Sequence, residues 1–366
     1  MGAKFKKIKV DIIGGARPNF IKIAPLLELL DKNKRFDTKF INTGQHYNFK
    51  LYDEILKDLG LRFPDVNLDV RSSSSNTQFS RIIYRYEKSL KKNTPDLVIV
   101  FGDVNSTLAT ALTAKKMGIK IAHVEAGLRC YDDCLPEEIN RRLTDSISDY
   151  YFTPTRNEEK NLRRENIKKN IFFVGNIMID SLKLILKKNP NFKVSFQKFG
   201  LITLHRPENV DYKNSLWQII EKIEEISKTI TLVFPIHPRT KKSLERFKLL
   251  KKLNSIKNIK LCEPFGYYRF LMYLNKSQLI ITDSGGVQEE ATFLGIPCFT
   301  LRKNTERPIT ISDGTNCLVN VTNVVNKVKK VKKKKVKIEK WDGQTANRIV
   351  TTLEKIQKCD FQRYSL

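Results

Sequence analysis

Short apolar runs alternate with longer segments of helical periodicity along the whole chain. The runs in the first half lie at 8–13, 39–42, 97–101 and 119–123. Those in the second half lie at 171–174, 201–204, 231–235, 259–262 and 279–282. Alternating strands and helices are typical of α/β proteins with parallel sheets. The pattern predicts two doubly wound, Rossmann-like domains with a central cleft.

The predicted domain boundary lies where the second series of runs begins. We expect a first domain over residues 1–170 and a second, ligand-binding domain over residues 171–366. A chain of 366 residues is long enough to form two separate cores. The last amphipathic segment, over 345–358, predicts a helix that packs back on the first domain.

Reactive polar residues follow several of the predicted strands. Asp103 and Glu125 come shortly after strands in the first half, and His205 and Ser284 do so in the second half. In doubly wound sheets, ligands bind at the carboxyl ends of the strands. The sequence therefore predicts that these side chains face a ligand.

The segment over 279–293 predicts an anion site. Its apolar run ends at Asp283-Ser284-Gly285-Gly286, and a segment of helical periodicity follows. Backbone N–H groups and the positive end of the helix dipole favour a phosphate there. Glu290 can accept hydrogen bonds from sugar hydroxyls, and Arg307 can clamp a diphosphate. The alternative interpretation is an ordinary packing turn of an α/β protein.

Charged residues of the first half complement this anion site. Arg17 and Lys22 follow the glycines after the first strand and lie at the start of a helix. Glu137 lies in the first turn of another predicted helix, and Arg141 is four residues further along the same face. Arg141 is therefore expected to keep Glu137 ionised. Glu138 is explained as a first-turn acid that the helix dipole favours.

The composition indicates a globular protein without a membrane span. No apolar run approaches the about 20 residues that a span needs, and the N-terminus lacks the core and cleavage site of a signal peptide. The six cysteines lack the spacing of metal sites or disulfide frameworks. We expect a cytoplasmic protein with free thiols and no bound metal.

The net charge of +28 raises the alternative of a nucleic-acid-binding protein. The excess is mostly lysine and is densest over 327–340, a stretch without aromatic residues. Binding of single-stranded nucleic acid relies on aromatic side chains that stack on the bases. A solvated, lysine-rich surface is the favoured interpretation, with no nucleic acid as partner and no membrane.

Several motifs together resemble the family of non-hydrolysing UDP-N-acetylglucosamine 2-epimerases. The matching pieces are Ala16-Arg17-Pro18 with Lys22, Thr43-Gly44-Gln45-His46-Tyr47, Gly102-Asp103, His-Val-Glu-Ala-Gly-Leu-Arg at 123–129, Pro-Glu-Glu-Ile-Asn-Arg at 136–141, His-Arg-Pro-Glu-Asn at 205–209, the run at 283–291, and Thr-Glu-Arg-Pro at 305–308. They extend over most of the chain, so the resemblance is specific.

The resemblance implies a glycosyltransferase-B-like fold, a UDP-sugar substrate, a homodimer and no cofactor. It also implies a role in the biosynthesis of cell-surface polysaccharides. The residues that match the family's residues of catalysis are Asp103, Glu125, Glu137 and His205, with Lys22 and Arg141 beside them. The residues it assigns to UDP or substrate binding are Arg17, His205, Phe265, Ser284, Gly285, Gly286, Glu290 and Arg307.

The implied reaction interconverts UDP-N-acetylglucosamine and UDP-N-acetylmannosamine. UDP leaves C1 as the C2 proton is removed, and the resulting 2-acetamidoglucal takes both back. This chemistry requires a base, an acid on the opposite face of the ring, and stabilisation of the departing diphosphate. The sequence leaves open which carboxylate is the base. The alternatives are a 2-epimerase of a related UDP-diacetamido sugar or uronic acid, a hydrolysing variant, or a glycosyltransferase of the same fold.

Some positions depart from the family pattern. Asn19 stands where Glu is common, Tyr47 and Asn48 replace residues of the allosteric bacterial type, and the loop over 130–135 also differs. The last two changes lie where activating substrate binds in that type. We therefore expect a less sigmoidal dependence of rate on substrate concentration.

Overall fold

The structure, a computed structural model, describes residues 7–44, 49–71, 74–188, 192–330 and 333–356. The chain forms two compact units. The first consists of Met1–Leu184 together with Glu339–Leu366, and the second consists of Ile185–Ile338.

A seven-stranded parallel sheet forms the centre of the first unit in the described part of the chain. Its strands are β1 (Ile8–Gly14), β2 (Phe36–Asn42), β3 (Val66–Asn67), β4 (Leu97–Phe101), β5 (Lys120–Val124), β6 (Tyr150–Thr153) and β7 (Ile171–Phe173). Their order across the sheet is β3-β2-β1-β4-β5-β6-β7.

The second unit has a parallel sheet of six strands, again counted over the residues described. They are β8 (Phe199–Thr203), β9 (Thr231–Pro235), β10 (Ile259–Cys262), β11 (Leu279–Thr282), β12 (Cys298–Leu301) and β13 (Asn316–Val319). The order is β10-β9-β8-β11-β12-β13, the doubly wound arrangement. The predicted fold class, with two parallel α/β sheets, is confirmed.

Helices connect successive strands and cover the sheets. In chain order they are α1 (Arg17–Lys32), α2 (Phe49–Leu59), α3 (Ser75–Lys92), α4 (Asn105–Lys116), α5 (Pro136–Ile147), α6 (Arg156–Arg164), α7 (Ile177–Lys188), α8 (Pro207–Val210), α9 (Lys213–Ser227), α10 (Pro238–Arg246), α11 (Leu250–Ser255), α12 (Tyr267–Lys276), α13 (Gly285–Phe293), α14 (Ile309–Ser312), α15 (Val324–Lys329) and α16 (Thr345–Ile356). Within the described ranges, no helix has the length and apolar character needed to cross a membrane.

Central strands of both sheets are apolar on both faces. All five residues of β4, Leu-Val-Ile-Val-Phe, are buried, as are the four of β11, Leu-Ile-Ile-Thr. Strands covered by helices on two sides have no solvent-facing positions, so alternation of polar and apolar residues disappears. This explains why these strands read as continuous apolar runs in the sequence.

The run at 171–174 was predicted to begin the second domain, and that prediction is wrong. Strand β7 pairs with β6 at the edge of the first sheet, with Tyr151 opposite Ile171. The chain then divides within α7, after Leu184, and not at residue 170. An apolar run identifies a strand, but hydrogen bonds to a neighbouring strand decide which sheet it joins.

The C-terminal helix α16 lies with the first unit and packs against α1. Asn33, just after α1, donates a hydrogen bond to Glu354 at 2.8 Å. The Asp180 carboxylate accepts hydrogen bonds from the first two backbone N–H groups of α16, those of Thr345 and Ala346. These bonds satisfy N–H groups that have no partner within the helix.

Helix α1 begins directly after β1 and is fixed to β4. Pro18 lies in the first turn, where a missing N–H has no cost. Asn19 accepts a hydrogen bond from the Ala16 N–H at 3.0 Å and donates one to the Phe101 carbonyl at 2.9 Å. The side chain of Asn19, which stands where Glu is common in the family, therefore links the start of α1 to the end of β4.

Candidate active site

The loops that follow β1, β4 and β5 bring charged residues together in the first unit. Lys22, on the second turn of α1, forms a buried ion pair with Glu125, which directly follows β5. Gly102 directly follows β4 and lies beside both side chains. Two of the residues implied by the family resemblance are thus in direct contact.

The backbone conformation of Glu125 and the contacts of its side chain are both unusual. Its φ is +71°, a left-handed conformation that non-glycine residues rarely adopt. Its N–H and that of Ala126 both donate to the Phe152 carbonyl of β6, which holds the strained turn. The side chain is buried; Oε2 contacts Lys22, while Oε1 has no hydrogen-bond partner among the described residues. Strain of this kind is concentrated at functional sites.

Gly102 is required for the close approach of this ion pair. Its φ is +64°, and a Cβ at this position would lie 3.0 Å from Lys22 Nζ and 3.4 Å from Glu125 Oε2. A side chain would therefore be strained and would press on the charged groups. The Gly102 N–H donates to the Val124 carbonyl at 3.1 Å, so the ends of β4 and β5 are joined here.

Asp103 belongs to a second charged group beside the first. Its carboxylate forms an ion pair with Arg141 of α5, and about a quarter of its side chain (26%) is exposed. Arg141 also contacts Glu138, one turn earlier on α5. Asn140 of the same helix donates to the Asp103 carbonyl at 3.0 Å. Helix α5 therefore fixes both the backbone and the carboxylate of Asp103.

The expected pairing of Arg141 with Glu137 is corrected by the structure. Arg141 pairs with Glu138, which is buried, while Glu137 is exposed. Burial raises the pKa of Glu138, but the Arg141 charge and hydrogen bonds from Cys130 hold it below its usual value. Positions three and four residues before Arg141 are both within reach on a helix, and packing selected the nearer one.

In the second unit, the predicted anion site is the N-terminus of α13. Ser284 is the N-cap, and its side chain makes no capping hydrogen bond to the helix. Ser284 and the two following glycines are partly exposed. The hydroxyl and the N–H groups of the first turn are therefore suited to an anion.

Gly285 lets the Arg307 side chain approach the helix start. A Cβ at Gly285 would lie 2.7 Å from both Arg307 Nη1 and Glu306 Oε1. The Arg307 guanidinium also forms ion pairs with Glu306 and, at 2.8 Å, with Glu289. The predicted clamp residue thus lies at the predicted anion site, and two carboxylates hold it in place.

His205 is oriented by Asp283, a residue to which the sequence assigned no role of its own. His205 Nδ1 lies 3.0 Å from Asp283 Oδ1. Asp283 is completely buried and also accepts hydrogen bonds from the Arg206 N–H and from Asn209. Burial raises the pKa of Asp283, but these hydrogen bonds and the His205 charge hold it below its usual value. The His205 side chain is 37% exposed.

Glu290 and Phe265 have aromatic partners. Tyr267 donates a hydrogen bond to Glu290 Oε1 at 2.8 Å, and both residues are buried. The Phe265 ring lies 4.6 Å from that of Tyr273, and the Arg269 guanidinium lies 4.3 Å from the Phe265 ring. The sequence did not single out Tyr267, because no local motif connects it with a carboxylate 23 positions later.

The remaining predicted residues fall at exposed or undescribed positions. Arg17 is exposed at the first position of α1. Gln45, His46, Tyr47 and Asn48 lie outside the described residues. Across the described ranges, no group of three or more His, Cys, Asp or Glu residues is placed to hold a metal ion.

The arrangement of these motifs agrees with a family of known proteins. A family model described as UDP-N-acetylglucosamine 2-epimerase matches residues 28–354. The chain belongs to the UDP-N-acetylglucosamine 2-epimerase family. The resemblance noted in the sequence is thereby confirmed.

Similar proteins of known name and structure support this membership. UDP-N-acetylglucosamine 2-epimerase of Methanocaldococcus jannaschii is 47% identical over 324 residues, which are 85% of this chain and 88% of that protein. A crystal structure of the M. jannaschii UDP-GlcNAc 2-epimerase in complex with UDP-GlcNAc and UDP aligns with a TM-score of 0.89 and 43% identity. It covers 95% of this chain and 100% of that chain.

A relative with a different sugar substrate is also similar. UDP-2,3-diacetamido-2,3-dideoxy-D-glucuronate 2-epimerase of Pseudomonas aeruginosa is 38% identical over 318 residues, which are 85% of this chain and 88% of that protein. Within the 2-epimerase family, identity is therefore higher to the M. jannaschii enzyme than to this one.

Proposed function

We propose that the protein is a non-hydrolysing UDP-N-acetylglucosamine 2-epimerase that works by elimination and re-addition of UDP. The observation that carries this proposal is the environment of the Glu125 carboxylate. It is buried in a strained turn, Lys22 holds Oε2, and Oε1 has no hydrogen-bond partner among the described residues. A carboxylate that is fixed on one oxygen and available on the other suits proton transfer at C2.

The first unit is proposed to supply the acid and the base. Removal of the C2 proton by one carboxylate breaks the C2–H bond while the C1–O bond to UDP breaks. Return of a proton from a second carboxylate on the opposite face, with re-addition of UDP at C1, gives the epimer. Glu125 and Asp103 are the favoured pair, because each is held by a cation, and Glu137 is the third candidate.

The second unit is proposed to hold UDP. The N-terminus of α13 and the Ser284 hydroxyl suit the diphosphate, and Arg307 supplies positive charge beside them. Glu290, oriented by Tyr267, can accept hydrogen bonds from the ribose hydroxyls. Phe265 offers an apolar surface.

His205 is proposed to assist departure of the diphosphate. Because Asp283 lies against Nδ1, the Nε2 atom is the nitrogen that can face substrate. An imidazole oriented in this way can present Nε2 to the departing diphosphate. No metal or other cofactor is needed for these steps.

The proposal is tested by running the reaction with UDP-N-acetylglucosamine in D₂O and following the products by NMR. We expect deuterium at C2 of the UDP-sugar product, with no acceptor required. Release of free N-acetylmannosamine and UDP would indicate hydrolysis, and donor use that depends on an added acceptor would indicate a glycosyltransferase. Sugar recovered without label from folded, UDP-binding protein contradicts the epimerase.

A second candidate substrate is a UDP-diacetamido sugar or uronic acid. The similarity to the P. aeruginosa 2-epimerase favours including it. Parallel assays with UDP-N-acetylglucosamine and UDP-2,3-diacetamido-2,3-dideoxy-glucuronate decide between the two. The UDP-sugar with the higher kcat/KM is the preferred substrate.

We also propose a cytoplasmic homodimer. Helix α5 exposes Ile139 and Leu143, one turn apart, each 48% accessible, and Tyr84 of α3 is 58% accessible. Exposed apolar side chains grouped on one helix face are typical of contacts between subunits. Light scattering should show a dimer that Ile139→Glu with Leu143→Glu converts to a monomer. Trp217→Glu, on α9, is the control and should leave the dimer intact; a monomeric parent protein contradicts the proposal.

A further inference from the structure

A cleft lies between the last strand of the first sheet and the C-terminal helix. Strand β7 is at the end of that sheet, and its residues together with Val174 form one wall. The other wall is one face of α16, from Asn347 to Lys355. The volume of this β7–α16 cleft is about 580 Å³, within the range of about 300–1,000 Å³ that is usual for small-molecule sites. None of the residues that line it belongs to the candidate active site.

The lining of the β7–α16 cleft is basic. Four cationic side chains line it, and no carboxylate does so among the described residues; the four are Arg156, Lys340, Arg348 and Lys355. The carboxylates nearest to the two arginines lie outside the lining. Arg156 pairs with Glu339 at 2.9 Å and with Glu159 at 3.6 Å, and Arg348 pairs with Asp342. Lys340 and Lys355 form no ion pair within the part of the chain that the structure describes.

An aromatic ring and a backbone carbonyl fix two of the cations. The Arg156 guanidinium lies 4.9 Å from the centre of the Phe173 ring, and Lys340 Nζ lies 4.3 Å from it. Cations are attracted to the faces of aromatic rings. Lys340 Nζ also donates a hydrogen bond to the Phe173 carbonyl at 2.7 Å. Because an ammonium group has three N–H donors, Lys340 is held in position and still has donors for a ligand.

The backbone and the charge of Lys340 are both held in an unfavourable arrangement. Its φ is +58°, a conformation that non-glycine residues rarely adopt. Its carbonyl oxygen would lie 2.2 Å from a Cβ at Gly175, so only glycine fits there. Burial lowers the pKa of Lys340 and the nearby Arg348 charge lowers it further, partly offset by Glu339. Backbone strain is concentrated at functional sites, and an anion beside Lys340 would relieve the repulsion between the cations.

A purely structural role explains part of this arrangement. Charged side chains often protect the free edge of a sheet. Lys340 donates to the Phe173 carbonyl, and Arg348 donates to the Val174 carbonyl at 3.0 Å. That role does not require Lys355, which is exposed and lies two turns beyond Arg348 on the same face of α16. It also leaves unexplained the amide of Gln344 and the hydroxyl of Thr351 in the lining, which add polar groups to the cleft.

We propose that the β7–α16 cleft binds a small molecule that carries a diphosphate group, at a site distinct from the N-terminus of α13. Phosphate oxygens form charge-assisted hydrogen bonds with lysine and arginine. The two lysines that form no ion pair among the described residues belong to different segments. Lys340 precedes α16 and Lys355 lies in its last turn, so a group with two phosphates can contact both. The polar groups of Gln344 and Thr351 suit the rest of such a molecule.

Calorimetric titration with inorganic pyrophosphate tests this proposal, with UDP in excess to fill the site proposed in the second unit. We expect pyrophosphate to bind to the parent protein under these conditions. Lys340→Gln removes a charged donor, so the dissociation constant should rise by about tenfold or more. Lys355→Gln, at an exposed position, should raise it by about two- to fivefold. Absence of binding to the parent protein, or equal affinity in Lys340→Gln, overturns the proposal.

Thr351 allows a test that leaves the existing contacts of the lysines in place. It is exposed on the face of α16 that lines the cleft. Thr351→Glu adds a negative charge there, and Thr351→Gln is the matched control, with nearly the same size and helix propensity. Thr351→Glu should bind pyrophosphate more weakly than Thr351→Gln; equal affinity in the two variants would place the anion elsewhere. If Lys340→Gln does not fold, this pair decides.

Lys91→Gln is the control for net charge. Lys91 lies in α3, is exposed, and is not among the residues that line the cleft. This variant should bind pyrophosphate as the parent protein does, and a loss equal to that of Lys355→Gln would contradict a defined site. If UDP does not bind, the same titrations without UDP still compare the cleft variants. Failure of the epimerase proposal therefore does not decide this one.

Discussion

Six strands of the first sheet have the same arrangement as the six of the second, but the two units use their buried carboxylates differently. Reading from the third strand of each unit, the order β3-β2-β1-β4-β5-β6 corresponds to β10-β9-β8-β11-β12-β13. In both units, candidate site residues follow the first strand and the strand beside it: β1 and β4 in one, β8 and β11 in the other. The difference between the units therefore lies in the loops and not in the framework.

In the first unit, the carboxylates of the candidate site have oxygen atoms that are not all engaged in hydrogen bonds. Glu125 retains one oxygen without a partner among the residues described, and Asp103 is partly exposed. In the second unit, Asp283 receives hydrogen bonds from several donors, and Glu289 is paired with Arg307. A carboxylate such as Asp283, which accepts hydrogen bonds from several donors, builds a rigid frame, whereas one with an available oxygen can transfer protons.

The largest expected effect comes from Glu125→Gln. The change preserves shape but removes the basic oxygen, so turnover should fall by about 10²–10⁴-fold. Steady-state kinetics measure turnover, and calorimetric titration should show unchanged UDP affinity. Asp103→Asn should act similarly.

Glu289→Gln is the matched change in the second unit. It weakens an ion pair of the frame, so the free energy of unfolding should fall by about 1–3 kcal/mol, with little loss of turnover in the folded fraction. The contrast between the units fails if Glu289→Gln reduces turnover as much as Glu125→Gln does.

The pH dependence of stability should also distinguish the two units. Burial raises the pKa of Asp11 in β1 from 3.8 to about 6, partly offset by the hydrogen bond from Tyr86 and the Lys39 charge. The folded state holds this proton more tightly than the unfolded state does. Stability is thus lost as pH rises through about 4 to 6, by about 2–3 kcal/mol in total. Asp283, whose pKa is lowered, has the opposite sign: its contribution is lost as pH falls through its folded-state value.

Urea unfolding of Asp11→Asn and Asp283→Asn over about pH 2 to pH 7 measures these slopes. Relative to the parent protein, the free energy of unfolding of Asp11→Asn should increase as pH rises from about 4 to 6, and the deficit of Asp283→Asn should shrink as pH falls below about 4. Parallel curves for all three proteins would show that neither carboxylate is perturbed as described.

The sequence predicted the framework better than the connections between side chains. Strands β4 and β11 were located because buried strands have unbroken apolar runs. Strands β6 and β13 have four residues each and were not predicted. Strand β7 was assigned to the wrong domain, because periodicity carries no information about which strands pair.

The candidate site shows the same limit. The motifs brought Glu125 and Lys22 to attention, but their ion pair joins residues 103 positions apart. Helical spacing allowed Arg141 to reach either Glu137 or Glu138, and only the packing of α5 decided between them. His123 Nδ1 lies 2.7 Å from Asp145 Oδ1, although the two residues are separated by 22 positions and belong to different elements. Contacts of this kind depend on the assembled sheet, which local patterns do not encode.

The smallest expected effect comes from Ser284→Ala, which tests the proposed role of the second unit in UDP binding. The hydroxyl makes no capping hydrogen bond to α13, so its removal should leave stability unchanged. If it donates to the diphosphate, UDP affinity should fall by about 0.5–1.5 kcal/mol, the net value of one hydrogen bond. Turnover at saturating substrate should change little, because the acid and base lie in the first unit.

Calorimetric titration with UDP measures the affinity loss, and Ser312→Ala, in α14, is a control outside the proposed site. The two variants should then differ in what they change: Ser284→Ala lowers UDP affinity, and Glu125→Gln lowers turnover. Unchanged UDP affinity in Ser284→Ala would place the diphosphate away from this hydroxyl. A loss of turnover as large as that of Glu125→Gln would mean that the second unit takes part in proton transfer, and the division of roles between the two units would have to be abandoned.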